Sequence, residues 1–91
     1  MLTHKSSYAF SQLTDDGNVT IAQADKINTV TLKNTGTADV VIAGLMTLKN
    51  GEAITLGGRE WCIIVQTFAI TFGATGTKIL DVIKETFTAI S

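Results

Sequence analysis

The chain has no proline and a single cysteine, and both scarcities restrict what it can be. One cysteine cannot form a disulfide within the chain. Because a small secreted domain would often use disulfides, the composition favours folding in a cytoplasm. One cysteine and one histidine are also too few for a structural zinc site. With proline absent, the eight glycines supply most of the turn signals.

Charged residues are scarce and scattered. They make up 16% of the 91 residues, and seven basic side chains against eight acidic ones leave a net charge of −1. The basic residues form no stripe, so we expect no nucleic-acid partner. The sequence has no basic amphipathic segment and no apolar run long enough to cross a bilayer, so we expect no membrane insertion. The N-terminus lacks an apolar h-region, which predicts that there is no signal peptide.

Apolar residues are abundant for so short a chain, at 45% of the sequence. A single domain of this size has a thin core of its own. One interpretation is that part of the apolar surface is buried against other subunits. The other is that a β-sandwich with short loops is rich in apolar residues. We predict an N-terminal arm or edge strand over residues 1–13 and one β-sandwich domain over residues 14–91.

Alternating apolar and polar residues predict strands in several segments. Phe68, Ile70 and Phe72 share one face of a strand, and Val30 and Leu32 share one face of another. A period of two cannot give a helix a single buried face. Short strands separated by turn signals predict an all-β fold. We expect a single small β-sandwich, Ig-like or jelly-roll-like, of about seven short antiparallel strands.

Three segments lack a clear alternation. Residues 19–24 fit either a short strand or an irregular edge. Residues 78–87 fit a strand with Leu80 and Val82 inward, and they also fit a helix with one apolar stripe. The β-branched residues and the all-β context favour the strand. Residues 61–65 are apolar on both faces, which predicts a strand covered on both sides.

Catalytic and metal-binding patterns are missing. His4 is the only histidine, and Cys62 lies in an apolar segment where a buried thiol is inert. The acidic turn at residues 15–18 lacks the spacing of a calcium loop. The glycines of residues 73–78 lack the spacing of a phosphate-binding loop, so a connection between strands is favoured. We therefore predict no enzymatic activity, no cofactor and no metal.

One long stretch resembles a known group of proteins. Residues 30–42 are consistent with a strand, an Asn-Thr-Gly-Thr turn and a partner strand. Residues 44–58 continue this pattern and end with Gly-Glu-Ala-Ile-Thr-Leu-Gly-Gly at residues 51–58. Residues 70–82 are similar to the same group's closing hairpin. Together, residues 30–83 resemble small β-sandwich structural proteins of bacteriophage particles. The resemblance implies a virion component (capsid-associated decoration, spike, fibre or tail) that is made in the host cytoplasm and has no catalytic residues.

Five residues are candidates for an interface. Tyr8, Phe10 and Leu13 lie in the N-terminal arm, which would reach a neighbour, and Arg59 and Trp61 are of types enriched at binding hot spots. For the last two, a solvated turn followed by a core tryptophan is the alternative. The expected partners are copies of the chain itself, a capsid protein or a tail protein. The alternative function is a ligand-binding sandwich module of the carbohydrate or adhesin type.

Overall fold

The computed structural model describes residues 3–57 and 64–90, which form an all-β structure. This confirms the predicted all-β class. The strands are β1 Thr3–Leu13, β2 Gly17–Ile21, β3 Ile27–Asn34, β4 Val40–Ile42, β5 Met46–Leu48, β6 Ala53–Gly57, β7 Gln66–Phe72 and β8 Leu80–Ile90, with one 3-10 turn at Gln23–Asp25. The described residues thus hold eight strands and not seven. The sequence did not reveal β5, because three residues are too few to show an alternating pattern.

The strands form two antiparallel four-stranded sheets in a sandwich-like arrangement. The strand order of the first sheet is β1-β8-β3-β6, and that of the second is β2-β7-β4-β5. Strands β1 to β4 therefore pair in turn with β8, β7, β6 and β5, as in one long antiparallel ribbon wrapped around itself. Among the strands of the described residues, only β4 and β5 are neighbours in both sequence and sheet. Every other pair of consecutive strands is divided between the two sheets.

Alternate residues of both sheets form the core. Val30 and Leu32 of β3 are fully buried, and Ile70 and Phe72 of β7 are nearly so, while Phe68 packs against the same cluster. These inward faces are the ones that the period-two pattern predicts. The buried apolar residues of the core are Val19, Ile21, Ile27, Val30, Leu32, Ala38, Val40, Ile42, Leu48, Ile70, Phe72, Leu80 and Val82.

Residues 34–39 do not form a hairpin turn. The strand predicted after them exists as β4, but the prediction that it pairs with β3 is wrong. Strand β3 pairs with β6 and β8, whereas β4 pairs with β5 and β7 in the other sheet. The closing hairpin expected over residues 70–82 is wrong for the same reason, since β7 and β8 belong to different sheets. Both segments instead carry the chain between the two sheets, and they lie against each other.

Asn34 is the polar centre of this crossing, where it is fully buried. Its Nδ2 donates to the carbonyl oxygens of Ala38 at 2.8 Å and Leu48 at 2.9 Å. Its Oδ1 accepts from the backbone N–H of Gly36 at 3.1 Å. A buried amide is tolerated only when its donors and acceptors are satisfied, and this side chain uses both kinds. One residue thus joins the end of β3 to the start of β4 and the end of β5.

Gly36 lets the two crossing segments touch. Its N–H donates to the carbonyl of Ile79, and the next two residues, Thr37 and Ala38, donate to the carbonyl of Thr77. A Cβ added to Gly36 would lie 2.2 Å from that Thr77 oxygen. The glycine is therefore required for a close backbone approach. We call residues 34–39 together with residues 77–79 the Asn34 corner.

The segments without a clear alternation have different outcomes. Residues 19–21 belong to strand β2, which ends at Ile21. Residues 80–90 form β8, with Leu80 and Val82 buried, which confirms the strand. Of the strand predicted at residues 61–65, residues 61–63 lie outside the described residues. For the rest the prediction is wrong, because Ile64 and Val65 precede β7 without joining a sheet, and Val65 is exposed.

The molecule is elongated, with extents of 52 × 20 × 17 Å. Strands β1 and β8 pair along eleven residues each, from Thr3 opposite Ile90 to Leu13 opposite Leu80. Strand β3 pairs with β8 only as far as Thr86. The distal part of the β1–β8 pair therefore continues as a two-stranded ribbon beyond β3.

Candidate functional site

The outer face of the first sheet is the surface that faces away from the core. Because Leu80 and Val82 point inward, the alternate residues Asp81, Ile83 and Glu85 of β8 point outward. The register of β1 against β8 places the two strands' outward residues side by side. The outward pairs are Gln12 with Asp81, Phe10 with Ile83 and Tyr8 with Glu85.

Two aromatic rings dominate this outer face. Phe10 is 73% exposed and Tyr8 is 59% exposed. Their ring centroids are 6.4 Å apart with an interplanar angle of 27°, so the rings are stacked against each other. Phe10 lies opposite the half-buried Ile83. We call Tyr8 and Phe10 the aromatic pair. Exposed aromatic side chains in contact with one another are typical of a surface that a partner covers.

Polar groups border the aromatic pair on both sides. The hydrogen bond between the Tyr8 hydroxyl and the Glu85 carboxylate raises the pKa of Tyr8, and the negative charge of Glu85 raises it further. On the other side, Gln12 Nε2 donates to Asp81 Oδ1 at 2.8 Å. A shallow depression of about 460 Å³ lies at this end, lined by Phe10, Ser11, Gln12, Asp81, Val82 and Ile83. An apolar centre with a polar rim is the usual anatomy of an interface.

Two backbone hydrogen bonds show which way the strands of the first sheet direct their polar groups. The N–H of Asn34 donates to the carbonyl of Glu52 at 2.9 Å, and its carbonyl accepts from Gly51 at 2.7 Å. The backbone N–H and C=O groups of Asn34 therefore point toward β6. In an antiparallel sheet both groups of one residue point to the same side, and those of the next residue point to the other.

This alternation can be followed across the sheet to β1. The odd residues of β3, from Thr29 to Lys33, direct their N–H and C=O groups toward β8. Their register partners there are the odd residues from Glu85 to Asp81. The even residues of β8 must then face β1, where their register partners are odd. The even residues of β1 consequently direct their N–H and C=O groups away from β8. Among the described residues no strand pairs with that edge of β1.

The edge and the aromatic pair thus coincide. Tyr8, Phe10 and Gln12 place their side chains on the outer face and their backbone groups at the open edge. We call this combination of edge and outer-face side chains the β1 edge. It offers hydrogen bonds and apolar contact together, which is what the addition of a partner strand needs.

The other predicted interface residues do not join this site. Leu13 is half-buried and packs against the core cluster, because an odd residue of β1 faces inward. Arg59 and Trp61 lie outside the described residues, as does Cys62. The structure therefore brings together Tyr8 and Phe10 of the five candidates.

Sequence reasoning missed a second exposed apolar position. Leu45 is 92% exposed at the tip of the β4–β5 hairpin, and Met46 beside it is 42% exposed. Ala43 and Gly44 adopt positive φ angles of 55° and 67° to form this tip. The Ala-Gly-Leu-Met sequence was the available signal, since apolar residues directly after a turn glycine are unusual in a solvated loop.

Two lysines of the described residues form ion pairs within the chain. Lys49 forms an ion pair with Asp39 at 2.7 Å, and Lys78 one with Asp15 at 3.4 Å. In the part of the chain that is described, no three histidine, cysteine or acidic side chains come together to hold a metal. No helix in that part has the length and apolarity to span a membrane.

The glycine-containing loop after β7 is also engaged within the molecule. The N–H of Thr77 donates to Thr37 Oγ1 at 2.7 Å, and the carbonyl of Thr77 accepts two backbone hydrogen bonds.

Comparison of the chain with protein-family models, with the curated proteins and with the solved structures finds no match.

Proposed function

We propose that this chain is a structural subunit of a virus particle, a non-catalytic β-sandwich that assembles with its own copies or docks on a capsid or tail protein. The strand order carries the proposal. Eight antiparallel strands in sheets β1-β8-β3-β6 and β2-β7-β4-β5 have the pairing of a jelly roll, in which a long ribbon is wrapped into two sheets. Viral capsid proteins are among the proteins built on this fold.

The surface properties support the same function. The β1 edge combines unpaired backbone groups with the aromatic pair, and Leu45 provides a second exposed apolar contact on the other sheet. Covering one exposed phenylalanine or tyrosine ring removes apolar area from water and stabilises a contact by about 1.5–3 kcal/mol. A subunit of a particle needs several such contacts, because each copy must bind more than one neighbour.

The test is to locate the chain in particles. Antibodies raised against the purified chain are used for immunogold electron microscopy on particle fractions separated from a lysate of the source. We expect the label on the particles. If the chain stays at the top of the gradient and the particles carry no label, the proposal is wrong.

A matched pair of variants makes this test specific. The double variant Tyr8→Ser/Phe10→Ser should reduce incorporation into particles at least tenfold. The control is Thr31→Ser/Thr55→Ser, which changes two residues on the same outer face whose hydroxyls are 3.0 Å apart. This control should be incorporated like the unchanged chain.

A carbohydrate-binding module is the second candidate, and one observation favours it. The aromatic pair stands beside the depression where Gln12 and Asp81 present amide and carboxylate groups. Sugar sites combine such groups with an aromatic surface, and lectins also use the jelly roll. Binding to a glycan array that is lost in Asp81→Asn and in Phe10→Ser would favour this function. A blank array would exclude it for the glycans tested.

A further inference from the structure

Strand β1 is the longest of the four strands that end a sheet. It has eleven residues, whereas β2 and β6 have five each and β5 has three. Proteins usually protect such an edge by making it short, by bending it with a bulge, or by placing a proline or a charge on it. Strand β1 has no register shift against β8, no proline, and no charged residue from Ser6 to Leu13. An edge of this kind is available to another strand.

We propose that the β1 edge pairs antiparallel with the β1 edge of a second copy of this chain, about a two-fold axis at Tyr8, so that two first sheets become one continuous eight-stranded sheet. The proposed dimer rests on the proposed function only in taking the chain as an assembling subunit. It identifies the partner as a second copy of the chain. The two sheets would meet with their outer faces on the same side.

The backbone of β1 suits this self-pairing. Residue 8 is the midpoint of Thr3–Leu13, so an antiparallel copy centred there pairs the whole strand with itself. The register then places residue 10 opposite residue 6 and residue 12 opposite residue 4. Each of these pairs joins two even residues, which are the ones that direct their N–H and C=O groups to the open edge. Five such pairs with two bonds each give about ten hydrogen bonds, a number typical of a specific interface.

The side chains and charges are compatible with the same register. Tyr8 lies directly opposite Tyr8 of the second copy, and Phe10 lies diagonal to it, so the two aromatic pairs meet on one face. Lys5, the only permanently charged residue of β1, falls opposite the neutral Ser11. A net charge of −1 on each copy adds little repulsion. An arbitrary foreign strand would have to match all these features independently.

The first measurement is the mass of the purified full chain by light scattering over a dilution series. We expect a dimer of about twice the 9.7 kDa chain mass that dissociates on dilution. A monomer at every concentration overturns the inference. A trimer or pentamer also overturns it, because one isologous edge contact closes at two copies.

Disulfide trapping tests the register. In a Cys62→Ser background, Tyr8→Cys places two thiols opposite each other, with Cα atoms about 5.5 Å apart, which is within the range that a disulfide spans. We expect this variant to become a covalent dimer under mild oxidation. The control is Thr20→Cys, which places an exposed thiol on the edge strand of the other sheet and should stay uncrosslinked. Equal crosslinking of the two variants overturns the inference.

A charge variant repeats the test with Cys62 intact. Tyr8→Lys puts two like charges opposite each other across the axis, so the dimer dissociation constant should rise at least tenfold and recover partly in high salt. The matched variant Thr20→Lys should dimerise like the unchanged chain, and circular dichroism verifies that both fold. If Tyr8→Lys dimerises normally, the edge contact is wrong. Particle labelling still decides the proposed function, since a chain that is monomeric alone can be incorporated by a capsid partner.

Discussion

Polar groups find partners inside the molecule at the Asn34 corner, whereas backbone polar groups at the β1 edge point away from the sheet. At the corner, the chain passes between sheets and every polar atom of the buried Asn34 side chain finds a partner inside the molecule. At the edge, half of the backbone groups of an eleven-residue strand point away from the sheet, next to two exposed rings. The corner therefore holds the fold together, and the edge is available for association.

This contrast suggests that stability and association are encoded in different residues. Buried polar groups cost the most when one partner is removed, because the other is left without a hydrogen bond or water. Exposed groups at an edge keep their access to water, so changing them affects the isolated chain little. The following substitutions test that separation, in order of expected effect.

Asn34→Leu should produce the largest loss of stability. It removes the side-chain donor to the buried carbonyls of Ala38 and Leu48, and it leaves the N–H of Gly36 with only its bond to the Ile79 carbonyl. We expect the free energy of unfolding to fall by about 4 kcal/mol, measured by urea denaturation. Asn18→Leu on the exposed side of β2 is the control and should change it by about 0.5 kcal/mol or less. Similar losses in the two variants would contradict the role of the corner.

Leu32→Ala and Phe10→Ala compare an apolar residue of the core with one of the edge. Leu32 is fully buried, so its truncation should cost about 3 kcal/mol of unfolding free energy. Phe10 is 73% exposed, and its truncation in dilute, dissociated protein should cost about 0.5 kcal/mol. Association should show the reverse order, with the larger loss in Phe10→Ala. A larger stability loss in Phe10→Ala would mean that the ring supports the fold.

Gly36→Ala and Gly73→Ala compare two glycines of the crossing segments. The new Cβ would lie 2.2 Å from the Thr77 carbonyl oxygen in the first and 3.5 Å from the nearest atom, the Asp39 nitrogen, in the second. The first substitution forces the backbones apart and should cost about 2 kcal/mol, while the second should cost less than about 1 kcal/mol. Thermal unfolding of both variants measures the difference, and equal melting temperatures would refute the close approach.

The smallest predicted effect is a change in the titration of Tyr8. The hydrogen bond to Glu85 raises the pKa of Tyr8, so the folded state favours the protonated phenol. The resulting stabilisation is present below the pKa of the unfolded chain and is lost as the pH rises through the pKa of the folded one. Tyr8 is the only tyrosine, so ultraviolet absorbance of tyrosinate reports it alone. Glu85→Gln should lower its pKa toward the ordinary value, and an unchanged titration would exclude the contact.

Period-two patterning was a dependable guide wherever one face of a strand is buried. It placed Val30, Leu32, Ile70 and Phe72 inward, as the structure has them. For residues 78–87 the pattern fitted both a strand and a helix, and the β-branched residues and the all-β context correctly favoured the strand. The pattern gave no warning of β5, whose three residues are too short for a pattern. The apolar run at residues 61–65 also misled the prediction for Ile64 and Val65, since a run without alternation has no preferred face.

The site was predictable only in part. Tyr8 and Phe10 could be identified as candidates from residue type and alternation, and Leu13 was grouped with them although its odd position turns it toward the core. The importance of Asn34 was not visible, because an Asn-Thr-Gly-Thr sequence suits an ordinary turn equally well. Its burial results from Ala38, Leu48 and Gly36 surrounding it in three dimensions.

By itself, the sequence determined the all-β class, the inward faces of β3 and β7 and the positions of most turns, because these depend on alternation and on the conformational preferences of single residues. Which strand pairs with which was decided only by the tertiary structure. A turn such as residues 34–39 or 73–79 can return a strand to its own sheet or carry it to the opposite one, and local chemistry is the same in both cases. The choice depends on where Gly36 can approach Thr77 and where Asn34 finds its partners, so it exists only once distant parts of the chain have come together.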